Sequence, residues 1–169
     1  MIKSFRGRLF LATILLLIVT ELAIGLHLEN GLRTWINLNV EDDLYRNAKA
    51  IRELLVLTDK PYNTNNMDLL ADNFGIAIER RVTIIDPHGR VLGDSELSGV
   101  SLLELENHGD RPEVQQAIKS QYGIARRFSS TLNVSMLYVA VTYQHQDGLG
   151  VIRVQTSLSN VEQIINKIQ

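Results

Sequence analysis

Four histidines, His27, His88, His108 and His145, are the side chains in this sequence best suited to ligate a metal or move a proton near neutral pH. No two are spaced as ligands on one element, and His88 and His145 fall at turn tips, so no metal site follows from them. Asp42 with Asp43, and Glu104 with Glu106, are acidic pairs of the kind glycosidases use as acid and base. Neighbours on a helix point apart, however, and solvated charge is the reading these pairs support. The absence of cysteine removes thiol catalysis, disulfides and cysteine-based zinc sites. Neither a G-x-S-x-G, a P-loop nor a G-x-G-x-x-G occurs, so acyl-transfer and nucleotide chemistry lack their usual geometry. These residues form no catalytic apparatus, and no cofactor is expected.

One stretch is less ordinary: Glu106-Asn107-His108-Gly109-Asp110-Arg111-Pro112-Glu113-Val114. Pro112 fits the first position of a helix, with Glu113 favourable in its first turn and Val114, Ala117 and Ile118 on one side. Polar side chains therefore gather just before a helix N-terminus, where free backbone N–H groups favour anions. Two readings stand on chemistry alone. In one, the Asn, Asp and Arg cap the loop and satisfy one another; in the other, they form an anion site.

The elements that must position this stretch follow from periodicity. Val40, Leu44, Ala48, Ile51 and Leu55 recur at spacings of three and four within a proline-free run, which predicts a long amphipathic helix. Its stripe must bury itself against the domain, a second copy of the helix, or both. Asn66 is placed to cap a short helix, Met67–Phe74, that Gly75 stops. The period then changes to two. Ile78–Ile85 and Arg90–Leu92 flank Asp86-Pro87-His88-Gly89, a type I turn signal, and read as a hairpin. Gly123–Ser129, Val134–Gln144 and Gly150–Ser157 read as three further strands, the last two joined by a loop ending in Asp147-Gly148. Strand 135–143 is apolar on both alternating sets, which places it inside a sheet covered on both sides. Ser159 or Asn160 is expected to cap a last helix, Val161–Gln169. The expected fold class is α+β, a PAS-like five-stranded antiparallel sheet behind a long N-terminal helix.

The chain has 169 residues and a net charge of −2, without the basic stripe that nucleic-acid binding requires. That average conceals an asymmetry. Lys3, Arg6 and Arg8 give the first eight residues +3, whereas 14 basic and 18 acidic residues after Leu28 give −4. Between them Leu9–Leu28 is apolar apart from Glu21 and His27, and twenty helical residues rise about 30 Å, a bilayer's hydrocarbon thickness. Basic residues ahead of an apolar run hold the N-terminus in the cytoplasm. No small-x-small cleavage site follows within easy reach, which favours an uncleaved anchor over a secretory signal. Glu21 is given no role.

VTIIDPHGRVLGDSE, ENHGDRPEVQQAI and RRFSSTLNVSMLYVAV together resemble the extracytoplasmic sensor region of phosphate-regulon-type sensor histidine kinases. The likeness covers roughly Val82–Ser157, and Asn107-His108-x-x-Arg111-Pro112-Glu113-Val114 is its most specific motif. It implies a single Cache-like domain in a homodimeric receptor of the bacterial cell membrane. A second span, a relay, a cytoplasmic kinase and a response regulator are then expected beyond this chain. It divides the sequence into a basic head (1–8), an anchor (9–28), a helical stalk and short helix (29–76), the sensor domain (77–157) and an exit helix (158–169). No phosphoacceptor or ATP-binding motif is present, so the chain itself is not expected to be an enzyme. The resemblance further implies a pocket for a small anionic ligand beside 102–120, formed by His108, Arg111, Arg127 and Tyr138. The alternatives are an anchored exported binding domain, a cell-envelope enzyme, or the sensor of a chemoreceptor or cyclic-dinucleotide enzyme.

Overall fold

Helix α1 runs from Phe5 to Val56. The computed structural model describes residues 5–58, 61–129 and 134–158. These fall into two compact units, residues 1–39 and 40–169. Within the first, Gly7–Leu28 has a mean hydropathy of 2.5 and is wholly unburied, long and apolar enough to cross a membrane. Residues 1–4 of the expected basic head lie outside the described residues, as does the exit helix after Leu158.

The second unit adds α2 (Thr64–Ile78), β1 (Arg81–Ile85), β2 (Val91–Asp94), α3 (Gly99–Leu103), α4 (Pro112–Ser120), β3 (Tyr122–Ser129), β4 (Val134–His145) and β5 (Gly148–Ser157). The strands form one sheet in the order β2-β1-β5-β4-β3, with every pair antiparallel. This is the α+β architecture expected from the sequence. Strand β4, apolar on both alternating sets, lies between β5 and β3 and is covered on both faces. The hairpin turn closes as predicted. Gly89 N donates to Asp86 O at 3.0 Å, and Gly89 takes φ +82°, a conformation glycine adopts without Cβ strain.

The stalk stripe is spent inside its own domain. Leu44, Ala48, Ile51 and Leu55 are buried against Leu137, Val139, Val141, Ile152 and Val154 of the sheet, and Met67 and Ala71 of α2 join the same core. Residues 40–76, the later part of the expected stalk and short helix, belong to the same compact unit as the sheet and supply one face of its core.

The short helix is corrected. It runs from Thr64 to Ile78, and Asn63 rather than Asn66 is its cap, accepting from Asn66 N at 3.0 Å. Gly75 does not stop it. Glycine is needed there because the Ser95 side chain occupies the space where a Cβ would stand, and the helix ends instead at Glu79 with φ 53°. The first strand accordingly starts at Arg81 rather than Ile78. The five residues of α3 carry too little periodicity to predict, and the sequence reading left them out.

Candidate functional site

Alternation decides what β1, β5, β4 and β3 offer to the face opposite α1 and α2. Thr83 pairs with Arg153 and Arg81 with Gln155; Gln155 pairs with Tyr138, and Arg127 with Met136. With a period of two, Arg81, Thr83, Arg153, Gln155, Tyr138 and Arg127 share one face. Helices α3 and α4 cover part of that face with Leu102, Val114 and Ala117 over Ile85, Ala140 and Val151. The uncovered part is a cavity of about 650 Å³, whose walls include His108, Arg111, Arg127 and Tyr138. The structure thus brings the four residues singled out in the sequence to one cavity.

Its floor is more highly charged than the sequence disclosed. Arg127 Nη2 donates to Glu113 Oε1 at 2.9 Å, and Arg153 Nη1 lies 3.5 Å from the same oxygen. Both guanidiniums also lie over the Tyr138 ring, at 4.3 and 5.4 Å from its centroid. Arg153 Nη2 donates to Thr83 Oγ1 at 3.1 Å, and Thr83 donates to Asp94 Oδ2 at 2.8 Å. Arg81 Nε straddles the Asp94 carboxylate at 2.9 and 3.1 Å. Burial lowers the Arg153 pKa, and the nearby carboxylates of Glu113 and then Asp94 offset only part of that effect.

Three guanidiniums, of Arg81, Arg127 and Arg153, thus face the two fully buried carboxylates of Asp94 and Glu113, and Arg81 Nη1 also pairs with the exposed Glu96 at 3.1 Å. Arg127 and Arg153 share the single carboxylate of Glu113. Among the described side-chain atoms, Arg127 Nε, Arg153 Nε, Glu113 Oε2 and Gln155 Oε1 are buried without a hydrogen-bond partner. Buried polar groups rarely stay unpaired without a reason of function or strain.

The 106–114 stretch fastens its own loop, as one of its two readings required. Asn107 Nδ2 donates to His88 O and Asn107 Oδ1 accepts from Gly109 N, while His108 N donates to Gly89 O. These bonds fasten the loop to the β1–β2 turn, and Gly89 is close enough to Asn107 and Gly109 that no Cβ would fit. Fastened so, the loop sets His108 and Arg111 on the cavity wall. His108 Nδ1 lies 2.7 Å from Glu106 O, an acceptor only, so the proton sits on Nδ1. Burial first, and the Arg153 charge next, lower its pKa below the usual histidine value. Both effects favour the neutral imidazole, in which Nε2 is the acceptor nitrogen.

Arg111 pairs with exposed Glu106 at 3.3 Å rather than with Asp110, its expected partner within the loop. Glu113 lies in the first turn of α4 as expected, and it is fully buried there and bridges two arginines. Pro112 does open α4, and Val114 and Ala117 are buried, but Ile118 is 39% exposed. The sequence reading missed Arg81, Arg153, Gln155 and Glu113. One signal was available: in Val151-Ile152-Arg153-Val154-Gln155 the polar residues alternate with apolar ones, although both neighbours of this strand lie within the sheet.

A second cavity of about 310 Å³ lies between the loop at Pro61–Asn63 and the two turns that hold His88 and His145. Its carboxylates are engaged locally, Asp86 with Arg90 and with the backbone of its own turn. Among the described residues no cluster of three or more His, Asp or Glu is arranged to hold a metal ion.

No family profile matches the chain, and no curated protein sequence matches it. Solved structures do. The sensor domain of the histidine kinase DctB from V. cholerae superposes with a TM-score of 0.68 at 18% identity, over 85% of this chain and 59% of that one. The ligand-binding domain of the amino acid chemoreceptor PctC from Pseudomonas aeruginosa PAO1, in complex with GABA, gives 0.61 at 14% identity, over 82% and 64%. That of the Campylobacter jejuni chemoreceptor Tlp3 with L-valine gives 0.59 at 16% identity, over 87% and 65%. This chain spans less than two thirds of each of these chains. None of the three is a phosphate-regulon sensor, so the likeness does not extend to that subtype. In fold, the chain is similar to the Cache-like sensor domains of a histidine kinase and of chemoreceptors.

Proposed function

We propose that this chain is the signal-input module of a membrane receptor, anchored by Gly7–Leu28 with its N-terminus in the cytoplasm and residues 40–169 outside. The cavity beside α4 takes a small organic anion. One observation carries this reading: Arg127 and Arg153 share a single buried carboxylate, Glu113, at the floor of a cavity of about 650 Å³ that Arg111 also lines. A carboxylate suits the guanidiniums, and a hydroxyl or ammonium beside it suits the unpartnered Gln155 Oε1 and the acceptor nitrogen of His108. The fold neighbours support the reading, since PctC is described with GABA and Tlp3 with L-valine.

The output of the full receptor is a histidine kinase of the phosphate-regulon type. Asn107-His108-x-x-Arg111-Pro112-Glu113-Val114 supports that subtype, and it implies a homodimer that acts through a response regulator. The chemoreceptor neighbours favour a second reading, in which the same module feeds a chemoreceptor output. The coding DNA downstream of codon 169 separates these two, through a kinase core in one case and a chemoreceptor signalling region in the other.

Ligand binding is tested by thermal unfolding of the full chain in nanodiscs with GABA, L-valine, succinate, inorganic phosphate and, as a cationic control, choline. At least one anion or zwitterion should raise the midpoint, and choline should not. If none does, the anion-site reading fails. Fusions at Gln169 test topology: an export-dependent reporter should be active and a cytoplasm-dependent one silent, and the reverse pattern contradicts the receptor reading.

A further inference from the structure

Edge strand β3 is held on its two faces by carboxylates from two different helices. On the cavity side Arg127 meets Glu113 of α4 at 2.9 Å. On the opposite side the adjacent residue, Arg126, meets Glu41 Oε2 of α1 at 3.4 Å. Tyr122 donates its hydroxyl to the other Glu41 oxygen at 3.0 Å. Burial first, and Glu41 next, push the Tyr122 pKa up to about 12, so the hydroxyl keeps its proton and remains a donor throughout the physiological range. The Tyr122 ring is packed edge-on against Tyr45, one turn further along α1, with centroids 4.9 Å apart.

We propose that β3 couples the cavity to α1: an anion drawn to Arg127 tightens the hold of Arg126 and Tyr122 on Glu41. This inference rests on the anion-site reading given above. Three features make β3 the element able to do this. It has a ladder partner on one side only, β4, so it shifts at a lower cost in hydrogen bonds than an inner strand. Its consecutive side chains point to opposite faces, so Arg126 and Arg127 share one backbone link while facing the helix and the cavity respectively. It is also joined closely to α4, because at Gly123 the α4 backbone at Glu113 and Ala117 fills the space of a Cβ, and Ile124 N donates to Gln116 Oε1 at 3.0 Å. A change at Arg127 therefore reaches Glu41 through a short stiff strand. Helix α1 is the one that also carries the apolar stretch Gly7–Leu28.

Linkage makes this testable from the far side of the sheet, since coupling between two sites is reciprocal. The variant is Tyr122→Phe, which keeps ring and charge and lies outside the cavity wall. In the full chain in nanodiscs, its affinity for whichever of GABA, L-valine, succinate or inorganic phosphate binds the unaltered protein should fall by about fivefold or more. Glu41→Gln should act in the same direction. Ile51→Val, a control that loosens α1 without touching the clasp, should leave the affinity within about twofold even where it lowers the melting temperature. Hydrogen exchange at residues 41–45 should slow when the anion is added to the unaltered chain. The coupling is overturned if the unaltered chain binds while Tyr122→Phe and Glu41→Gln both keep its affinity, or if exchange at 41–45 does not respond. Should the unaltered chain bind none of the four, the anion-site reading itself fails, and the coupling with it.

Discussion

The two faces of this sheet are built from the same five strands and differ in almost every other respect. Towards α1 and α2 the sheet presents Val82, Ile84, Leu137, Val139, Val141, Tyr143, Ile152 and Val154, all buried in one apolar cluster. Towards α3 and α4 an apolar patch of Ile85, Ala140 and Val151 gives way to Arg81, Thr83, Arg153, Gln155, Tyr138 and Arg127. The first face stabilises the domain, at about 1.5–3 kcal/mol for each large side chain removed from water. The second does not stabilise it in that way, because desolvating ion pairs costs about as much as their attraction returns. A domain selected for stability alone would have continued the apolar patch across this face. The proposed recognition role rests on the second face, and the first is scaffolding.

The contrast can be broken at either face, and the largest effect is expected on the charged one. Glu113→Ala leaves Arg153 and Arg127 facing each other without their shared carboxylate, and removing one partner of a buried pair costs about 3–5 kcal/mol. Chemical denaturation of the full chain should show this loss together with altered anion affinity. Leu44→Ala on the other face should cost about 3 kcal/mol through the cavity it leaves. Anion affinity should then stay unchanged, and a loss of affinity with stability would mean that the faces are not separate.

A third effect is smaller and depends on pH. His108 is held neutral in the folded protein with a pKa below the ordinary value of 6.5, so the unfolded chain takes up its proton first. Stability should fall as the pH drops through 6.5 towards the folded value, and stay level in this contribution above 6.5. His108→Asn should flatten that part of the slope in denaturation series between about pH 7 and pH 5. An unchanged slope would show that His108 is not the group responsible.

How much of each face was legible follows from the same physics. The apolar face was written in periodicity: the spacing Leu44, Ala48, Ile51, Leu55 and the unbroken apolar strand 135–143 both led to buried elements. The Asp86–Gly89 turn and the Pro112 helix start were legible because local backbone chemistry dictates them. Gly75 misled, because a glycine that ends a helix and one that admits a neighbour's Ser95 look the same in sequence. On the charged face, His108, Arg111, Arg127 and Tyr138 stood in distinctive blocks, and the fold places them on one cavity wall. Glu113, Arg153 and Gln155 were not legible in this way. A charged or polar residue alternating with apolar ones is normally solvated, and only the helix laid across the far side makes these buried.

The most direct test of the account is calorimetric titration of the full chain, in nanodiscs, with the best-binding member of the GABA, L-valine, succinate and phosphate panel, before and after Arg111→Gln. Arg111 lines the cavity, yet its described partner is the exposed Glu106, a surface pair worth about 1 kcal/mol or less, so folding should survive the change almost intact. The account predicts an affinity lower by about tenfold with the melting temperature nearly unchanged. Equal affinity in the two proteins would place the ligand elsewhere and contradict the assignment of recognition to this face.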